Sequence, residues 1–386
     1  STLFPYTTLF RSTFILQGAY SARNILKKYN TQCSYMLNQA DKVQQKYGSG
    51  YFSQIEYAYK LLLKNQAHDG ICGCSTDDVH EENIVRYKKV LQIANTIIEE
   101  LRAEYGFETP FVNSEIPLKG YDTAEVSYGF ENFLLYDTQR IPVTEDYKKI
   151  YSLRKSSKFL YGKDLVLKSG KLYFGNVEIR FSRRKDKGDA YNFGAVKGDR
   201  KEFAKILSIE GNIIKTSFFD VRYFKSENLI NFVIVWNNRR KNTLWQVEFL
   251  MPENVACTYS EDLGQIIKRD FESNYDMYKN LPKTRGVEVK TNFAPMRRFV
   301  FAQGFGVITK GLTEYEVCKN SLAVTMLRSV GIISNPKNPS RTTPAGPPIK
   351  VPEAQQLGRN VCEFSAGFFE LEDCKNRIKE VYPDYV

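Results

Sequence analysis

At 386 residues, with 42% hydrophobic and 14% aromatic side chains, the chain is long enough to bury more than one core. No run of eighteen apolar residues occurs, which excludes a transmembrane helix, and seven cysteines without a framework spacing favour a reducing, cytoplasmic setting over a disulfide scaffold. The net charge of +11 (55 − 44) could attract nucleic acid. However, Arg183-Arg184-Lys185 and Arg239-Arg240-Lys241 each follow a strand-like run and read as solvated turns, with no phosphate loop, RNA-binding motif or zinc-finger spacing beside them. Neither nucleic acid nor a membrane is an expected partner.

The chain opens on Ser1, and Leu3 to Ser12 read as a translated sequencing adapter, so residues 1–12 are set aside from fold reasoning. From residue 22 to 47 a helical seam runs through Ala22, Leu26, Tyr29, Cys33, Met36, Ala40, Val43 and Tyr47 in alternating steps of four and three. Gly48 and Gly50 stop it. A second helix is expected over Phe52 to Asn65, carrying Ile55, Ala58, Tyr59 and Leu62. Ser75, with Asp78 three residues on, suggests a capping-box start for a third. That helix runs through Ile84, Tyr87, Leu91, Ala94, Ile98, Leu101 and Tyr105 and ends at Gly106. Three such helices with short connections predict an antiparallel bundle over residues 13–106.

Beyond residue 107 the period changes to two. Leu165-Val166-Leu167, Leu172-Tyr173-Phe174 and Val177 to Phe181 form a meander punctuated by Ser169-Gly170 and Gly175-Asn176. Ile230 to Trp236 and Leu244 to Leu250 read as a second hairpin, and Phe299-Val300-Phe301 with Val307-Ile308-Thr309 as a third, bridged by Gly304 and Gly306. Six prolines between 335 and 353 forbid helix and central strand and predict a long ordered loop. The expected class is α+β: a three-helix bundle followed by a large antiparallel β-sandwich over residues 107–386.

Chemistry concentrates between the second and third helices, in Asn65-Gln66-Ala67-His68-Asp69-Gly70-Ile71-Cys72-Gly73-Cys74-Ser75. One of only two histidines stands there beside a carboxylate, at a tip that two packed helices would hold still. One His and one Asp cannot close a metal site alone. Cys72 and Cys74 form a C-x-C with no second pair nearby, which fits packing or loop geometry better than a zinc knuckle. His80, just before Ile84, reads as a bundle-end residue without a chemical role.

The His-Asp string resembles the corresponding loop of glycoside hydrolase family 38, the zinc-dependent α-mannosidases, in its bacterial, mannosylglycerate hydrolase-like form. Leu16-Gln17-Gly18-Ala19-Tyr20-Ser21-Ala22-Arg23 resembles the family's entry into its helical domain, and Asp186-Lys187-Gly188-Asp189-Ala190-Tyr191-Asn192-Phe193 a turn of its β region. Gly311 to Val317 and Thr325 to Gly331 fall where its later strands would, and the matches run in order from about residue 14 to 365. The resemblance implies a retaining α-mannosidase that hydrolyses terminal α-mannosyl linkages, with one divalent metal ion, zinc, under the sugar. It implies His68 as a metal ligand, Asp69 as the carboxylate that grips sugar hydroxyls, and Tyr191 as a substrate-binding residue. Gly70 stands where many relatives carry Ser, a small residue in either case.

The resemblance also implies that nucleophile, acid/base and the remaining ligands belong to an N-terminal α/β domain ahead of this stretch. The chain is therefore expected to be the middle and C-terminal portion of the enzyme, truncated after Val386 and inactive alone. Its expected partner is a mannose-containing glycan or mannosylated small molecule, and a homo-oligomer is compatible with it. Asp186 and Asp189 are left between a turn that positions Tyr191 and direct sugar contact. The alternative reading is a non-catalytic carbohydrate-binding β-sandwich module.

Overall fold

The structure, a computed structural model, describes residues 16–47, 50–107, 164–196, 198, 200–226, 229–262, 265–271, 288–289, 291–341 and 343–369. The adapter-like residues 1–12, Gly48 and the C-terminal stretch lie outside them.

Among the described residues four α-helices follow a 3-10 turn at Gln17–Tyr20: α1 Asn24–Tyr47, α2 Phe52–Lys64, α3 His68–Cys72 and α4 Asp77–Tyr105. A second 3-10 turn, Pro352–Gln355, ends the proline-rich loop, for which the sequence predicts no helix. The three long helices form the bundle. Leu26, Tyr29, Cys33 and Ala40 of α1 pack with Ile55, Ala58 and Leu62 of α2, and with Tyr87, Ala94, Ile98 and Leu101 of α4. Val90 and Ile97 join them, widening the stripe of α4 beyond the seam read from the sequence. Tyr29 and Tyr87 stack with centroids 5.7 Å apart. Gly106 closes α4 in the left-handed region at φ 68°, its N–H donating to Arg102 O.

The start of α4 differs from the capping-box expectation. Thr76, not Ser75, is the N-cap, and it makes no side-chain cap bond. Instead the N–H of Ser75 donates to His80 Nε2 at 3.2 Å. A histidine one turn into the helix thus reaches back to the entering backbone, as the acidic member of a capping box would. Asp77 and Asp78 in the first turn favour the positive end of the helix dipole.

The strands among the remaining described residues form a β-sandwich of two antiparallel sheets. Among the described residues the first holds β1 (Leu165–Lys168), β2 (Lys171–Phe174), β3 (Val177–Lys185), β9 (Thr243–Leu250), β16 (Ser321–Ser329), β15 (Glu314–Cys318) and β12 (Phe293–Pro295) in that order, with β4 (Glu202–Phe203) on β3. The second begins with β11 (Gln265–Asp270), β10 (Cys257–Asp262), β13 (Phe299–Ala302) and β14 (Phe305–Thr309). It continues through β17 (Gly358–Phe368), β8 (Leu229–Asn238), β7 (Asp220–Lys225), β6 (Ile213–Thr216) and β5 (Ile206–Glu210). Phe181, Val247, Phe249 and Val324 of the first sheet meet Phe232, Ile234, Phe305 and Phe364 of the second in one core.

The meander β1-β2-β3 and the hairpin β13-β14 form as expected. Ser169 and Gly170 both have positive φ, as do Gln303 and Gly304, which is what two-residue turns need to match strand twist. The hairpin expected between residues 230 and 250 does not form. β8 pairs with β7 and β17, while β9 pairs with β3 and β16, so the basic turn at 239–242 crosses from one sheet to the other. Both strands are buried along most of their length. Trp236 and Trp245, at 6.2 Å, face each other across the core. Arg183-Arg184-Lys185 is also no turn, since all three residues belong to β3. Arg183 lies over Phe218 and pairs with Glu202, and Arg184 pairs with Glu316 at 2.7 Å.

Candidate functional site

Residues 65–75 leave α2, make the single turn α3 and enter α4. Gly70 N and Ile71 N bond Ala67 O, and Cys74 N bonds Asp69 O at 3.0 Å, so the turn closes on itself. Gly73 sits at φ 78°, and a Cβ on it would lie 3.0 Å from Ala22 O, which requires glycine there twice over. From below, the ammonium of Lys27 donates to Cys72 O at 3.1 Å and to Ala22 O. Burial pushes Lys27 down to about 8, partly offset by Cys72 and Cys74. From the α4 side, His80 is held down to about 3 by burial, with the nearby Arg23 and Lys27 charges adding to the shift. Asn65, fully buried, donates to Asn83 O at 2.9 Å.

This base is buried and cross-tied, and the tip is open. The His68 side chain is 88% exposed and that of Asp69 47%, with His68 Nε2 3.3 Å from Asp69 Oδ1. Neither is occupied by packing.

The Asp186–Gly194 loop follows β3 on the sandwich side. Asp186 Oδ1 accepts from Gly188 N and Gly194 N at 2.7 and 2.8 Å, and its Oδ2 accepts from Arg328 Nε at 2.7 Å. Asp189 Oδ1 accepts from Tyr191 N and Asn192 N at 3.0 Å, and its Oδ2 from Asn335 N at 2.7 Å. Arg341 pairs with the same carboxylate. Both carboxylates are buried and their lone pairs are committed to backbone and guanidinium donors. They shape the loop that carries Tyr191.

Arg328, fully buried in β16, gathers the stretches that the sequence separates. Besides Asp186 it donates to Gly18 O at 3.0 Å, Asp189 O at 2.6 Å and Asn192 O at 2.7 Å. Gly18 N donates in turn to Tyr191 O at 2.8 Å. A few residues away, Glu314 accepts from Ser21 Oγ at 2.9 Å and Thr325 Oγ1 at 2.8 Å. Burial pushes Glu314 up to about 7 despite the opposing Arg328 charge. The motifs around Gly18, Asp186, Glu314 and Arg328 thus meet at one polar junction between bundle and sandwich.

Tyr191 lies half-buried beside that junction. Its ring packs against Ala19, Ala22 and Cys74 on one side and Ile333, Val351 and Ala354 on another. Its phenol is pushed up to about 12, first by desolvation and then by Cys74, Asp69 and Asp189, with Arg341 opposing. The Arg341 guanidinium stands 5.7 Å from the ring centroid. Asp69 and Tyr191, far apart in sequence, therefore share one electrostatic neighbourhood. Arg341 and Lys27, which hold this arrangement, carry no sequence signal beyond a lone arginine in a proline-rich loop and one of two adjacent lysines on a helix.

For a metal ion, the described residues offer one exposed imidazole beside one exposed carboxylate. No group of three or more His, Cys, Asp or Glu able to hold a metal occurs among them. The donors fit part of a nitrogen–oxygen ligand set, not a whole one. Cys72 and Cys74 are no substitutes. Burial raises both thiols, Cys74 to about 12, which disfavours the thiolate that a metal needs. The six described cysteines are all free, and no helix among the described residues is long and apolar enough to cross a membrane.

Residues 15–103 match the family model described as alpha mannosidase middle domain. A Halalkalibacterium halodurans protein described as "Putative mannosylglycerate hydrolase" is 42% identical over 90 residues, 22% of this chain and 10% of that protein. An alpha-mannosidase from Enterococcus faecalis V583 shares the fold with a TM-score of 0.64 at 16% identity, over 96% of this chain and 57% of that one. A glycosyl hydrolase family 38 protein from Enterococcus faecalis does so at 0.60 and 15%, over 95% and 59%. The chain spans a little over half the length of these structures and a tenth of the curated relative. Residues 15–103 are thus similar to an alpha mannosidase middle domain, and the fold is shared with these two structures.

Proposed function

We propose that this chain supplies one side of the active site of a metal-dependent, retaining α-mannosidase acting on terminal α-mannosyl linkages of a glycan or small molecule. The observation that carries the reading is the exposed His68–Asp69 pair on a cross-tied turn whose Cys72 and Cys74 share a packing cluster with Tyr191 of the sandwich. In this reading the neutral imidazole of His68 is one ligand of a zinc ion. The bound cation supplies a Lewis-acid template for sugar hydroxyls. Asp69 accepts hydrogen bonds from those hydroxyls and fixes the ring, and Tyr191 donates its phenolic hydrogen from the sandwich side. Lys27 and His80 keep the turn from moving, so little freedom is lost when sugar binds.

Retention needs a carboxylate nucleophile and a carboxyl acid/base about 5 Å apart. Asp186 and Asp189 are committed to backbone and guanidinium donors, and in this reading both roles belong to groups outside the described residues. This chain alone is accordingly expected to be inactive.

The test is hydrolysis of an aryl α-mannoside by the full-length protein. Turnover lost on chelation, restored by zinc and releasing α-mannose first is the expected result. Binding of mannosides without turnover would make the chain a carbohydrate-binding module, and turnover indifferent to chelation would remove the metal.

A further inference from the structure

The proline-rich loop carries a glycine whose role does not follow from its backbone. Gly346 lies outside the left-handed region, where other glycines of this chain are found. It precedes Pro347, which restricts it to extended conformations that any L-residue adopts. A side chain would therefore cost nothing in backbone strain. The three atoms nearest to a Cβ at this position all belong to Tyr191: the hydroxyl oxygen at 3.3 Å, Cε2 at 3.5 Å and Cζ at 3.8 Å. The ring atoms would be in ordinary contact, and the hydroxyl would be crowded.

The backbone around Gly346 is held in place. Ala345 N donates to Ser334 Oγ at 3.1 Å, and the same hydroxyl accepts from Arg341 at 2.8 Å. Arg341 Nε donates to Thr343 O at 2.9 Å, and Ile349 O accepts from Ile333 N at 2.9 Å. Arg341 also pairs with Asp189, whose Oδ1 bonds the backbone of Tyr191. Loop and tyrosine are thus parts of one frame, and the gap between them is fixed.

We propose that Gly346 is a specificity-determining residue: by lacking a Cβ it keeps the Tyr191 hydroxyl open to a hydroxyl of a bound hexopyranoside, and Thr343 to Pro348 form the wall that this sugar meets. This rests on the functional reading above, in which Tyr191 touches the sugar. A larger residue at 346 would cover the hydroxyl and leave the Tyr191 ring in place.

The experiment uses the full-length protein with Gly346→Ala, Gly346→Val, Tyr191→Phe and the double variant Gly346→Ala/Tyr191→Phe. Steady-state hydrolysis of an aryl α-mannoside and thermal denaturation are followed for each. KM should rise roughly two- to tenfold in Gly346→Ala, the worth of one hydrogen bond, and further in Gly346→Val, with kcat little changed. The double variant should be no worse than Tyr191→Phe, because the crowded atom is gone. An unchanged KM in Gly346→Ala, or an effect that adds fully to that of Tyr191→Phe, would overturn the inference. A purely structural role would lower the melting temperature and leave KM alone, and so counts against it. Should Gly346→Val fail to fold, Gly346→Ala and the double variant still decide. A parent enzyme without turnover on mannosides would instead overturn the functional reading itself.

Discussion

Arg328 is the residue on which the joint between bundle and sandwich depends. Its guanidinium neutralises the buried Asp186 and satisfies the carbonyls of Gly18, Asp189 and Asn192. Replacing it with Met would leave a buried carboxylate without its cation, at a cost of about 3–5 kcal/mol. Urea denaturation of the Arg328→Met variant should show that loss, and a change under about 1 kcal/mol would mean that water replaces the guanidinium. Gly18→Ala should act through the same group, because a Cβ there would overlap the guanidinium and lie 2.9 Å from Asn192 Cα. Little of this was legible in the sequence. His68 and Asp69 stand out in the sequence as a histidine beside a carboxylate, but their roles, and Tyr191, follow only from resemblance, and Asp186 and Asp189 can be named but not assigned. Which carboxylate is spent on backbone donors depends on long-range neighbours such as Arg328 and Asn335, and short-range spacing does not carry that information.

The elements were more legible than the residues. Helical seams and two-residue turns are local properties, so the bundle, the meander and the β13-β14 hairpin could be read directly. The β8–β9 crossing could not, because two buried strands joined by a short polar turn look the same whether they pair edge to edge or face each other across a core. The N-terminus of α4 departs from its sequence pattern for a related reason: a histidine at the fourth helical position stands in for the expected side-chain cap. His80 also ties this element to pH. Its folded value, about 3, lies below the ordinary 6.5, so the unfolded chain binds the extra proton. Its contribution is intact above about 6.5 and is lost as pH falls toward about 3, by up to roughly 1 kcal/mol per pH unit. Glu314 works in the opposite sense. Its folded value, about 7, lies above the ordinary 4.5, so its contribution is present below 4.5 and lost as pH rises through about 7. Chemical denaturation between pH 5 and 7.5 should therefore show a slope that changes in opposite directions in His80→Gln and Glu314→Gln. Parallel changes in the two variants would contradict this assignment.

At the scale of the whole molecule, the bundle is not an appendage. Residues 16–28 are bound into the sandwich by Gly18, Ser21, Asn24 and Ile25, through Tyr191, Glu314, Met326 and Gln356. That joint sets where the tip carrying His68 and Asp69 stands relative to Tyr191, and the proposed chemistry needs that placement more than it needs any single contact. The α+β class and the order of bundle and sandwich were legible from the change in hydrophobic period. The junction was not, since its members are scattered between residues 18 and 328. The most direct measurement is the zinc content of the full-length protein, parent beside His68→Ala, with circular dichroism to verify the fold. The exposed tip contributes little to packing, so the variant should stay folded while bound zinc and mannoside turnover fall by more than about tenfold. A folded His68→Ala protein with undiminished zinc and activity would contradict the assignment and return the turn to a structural role.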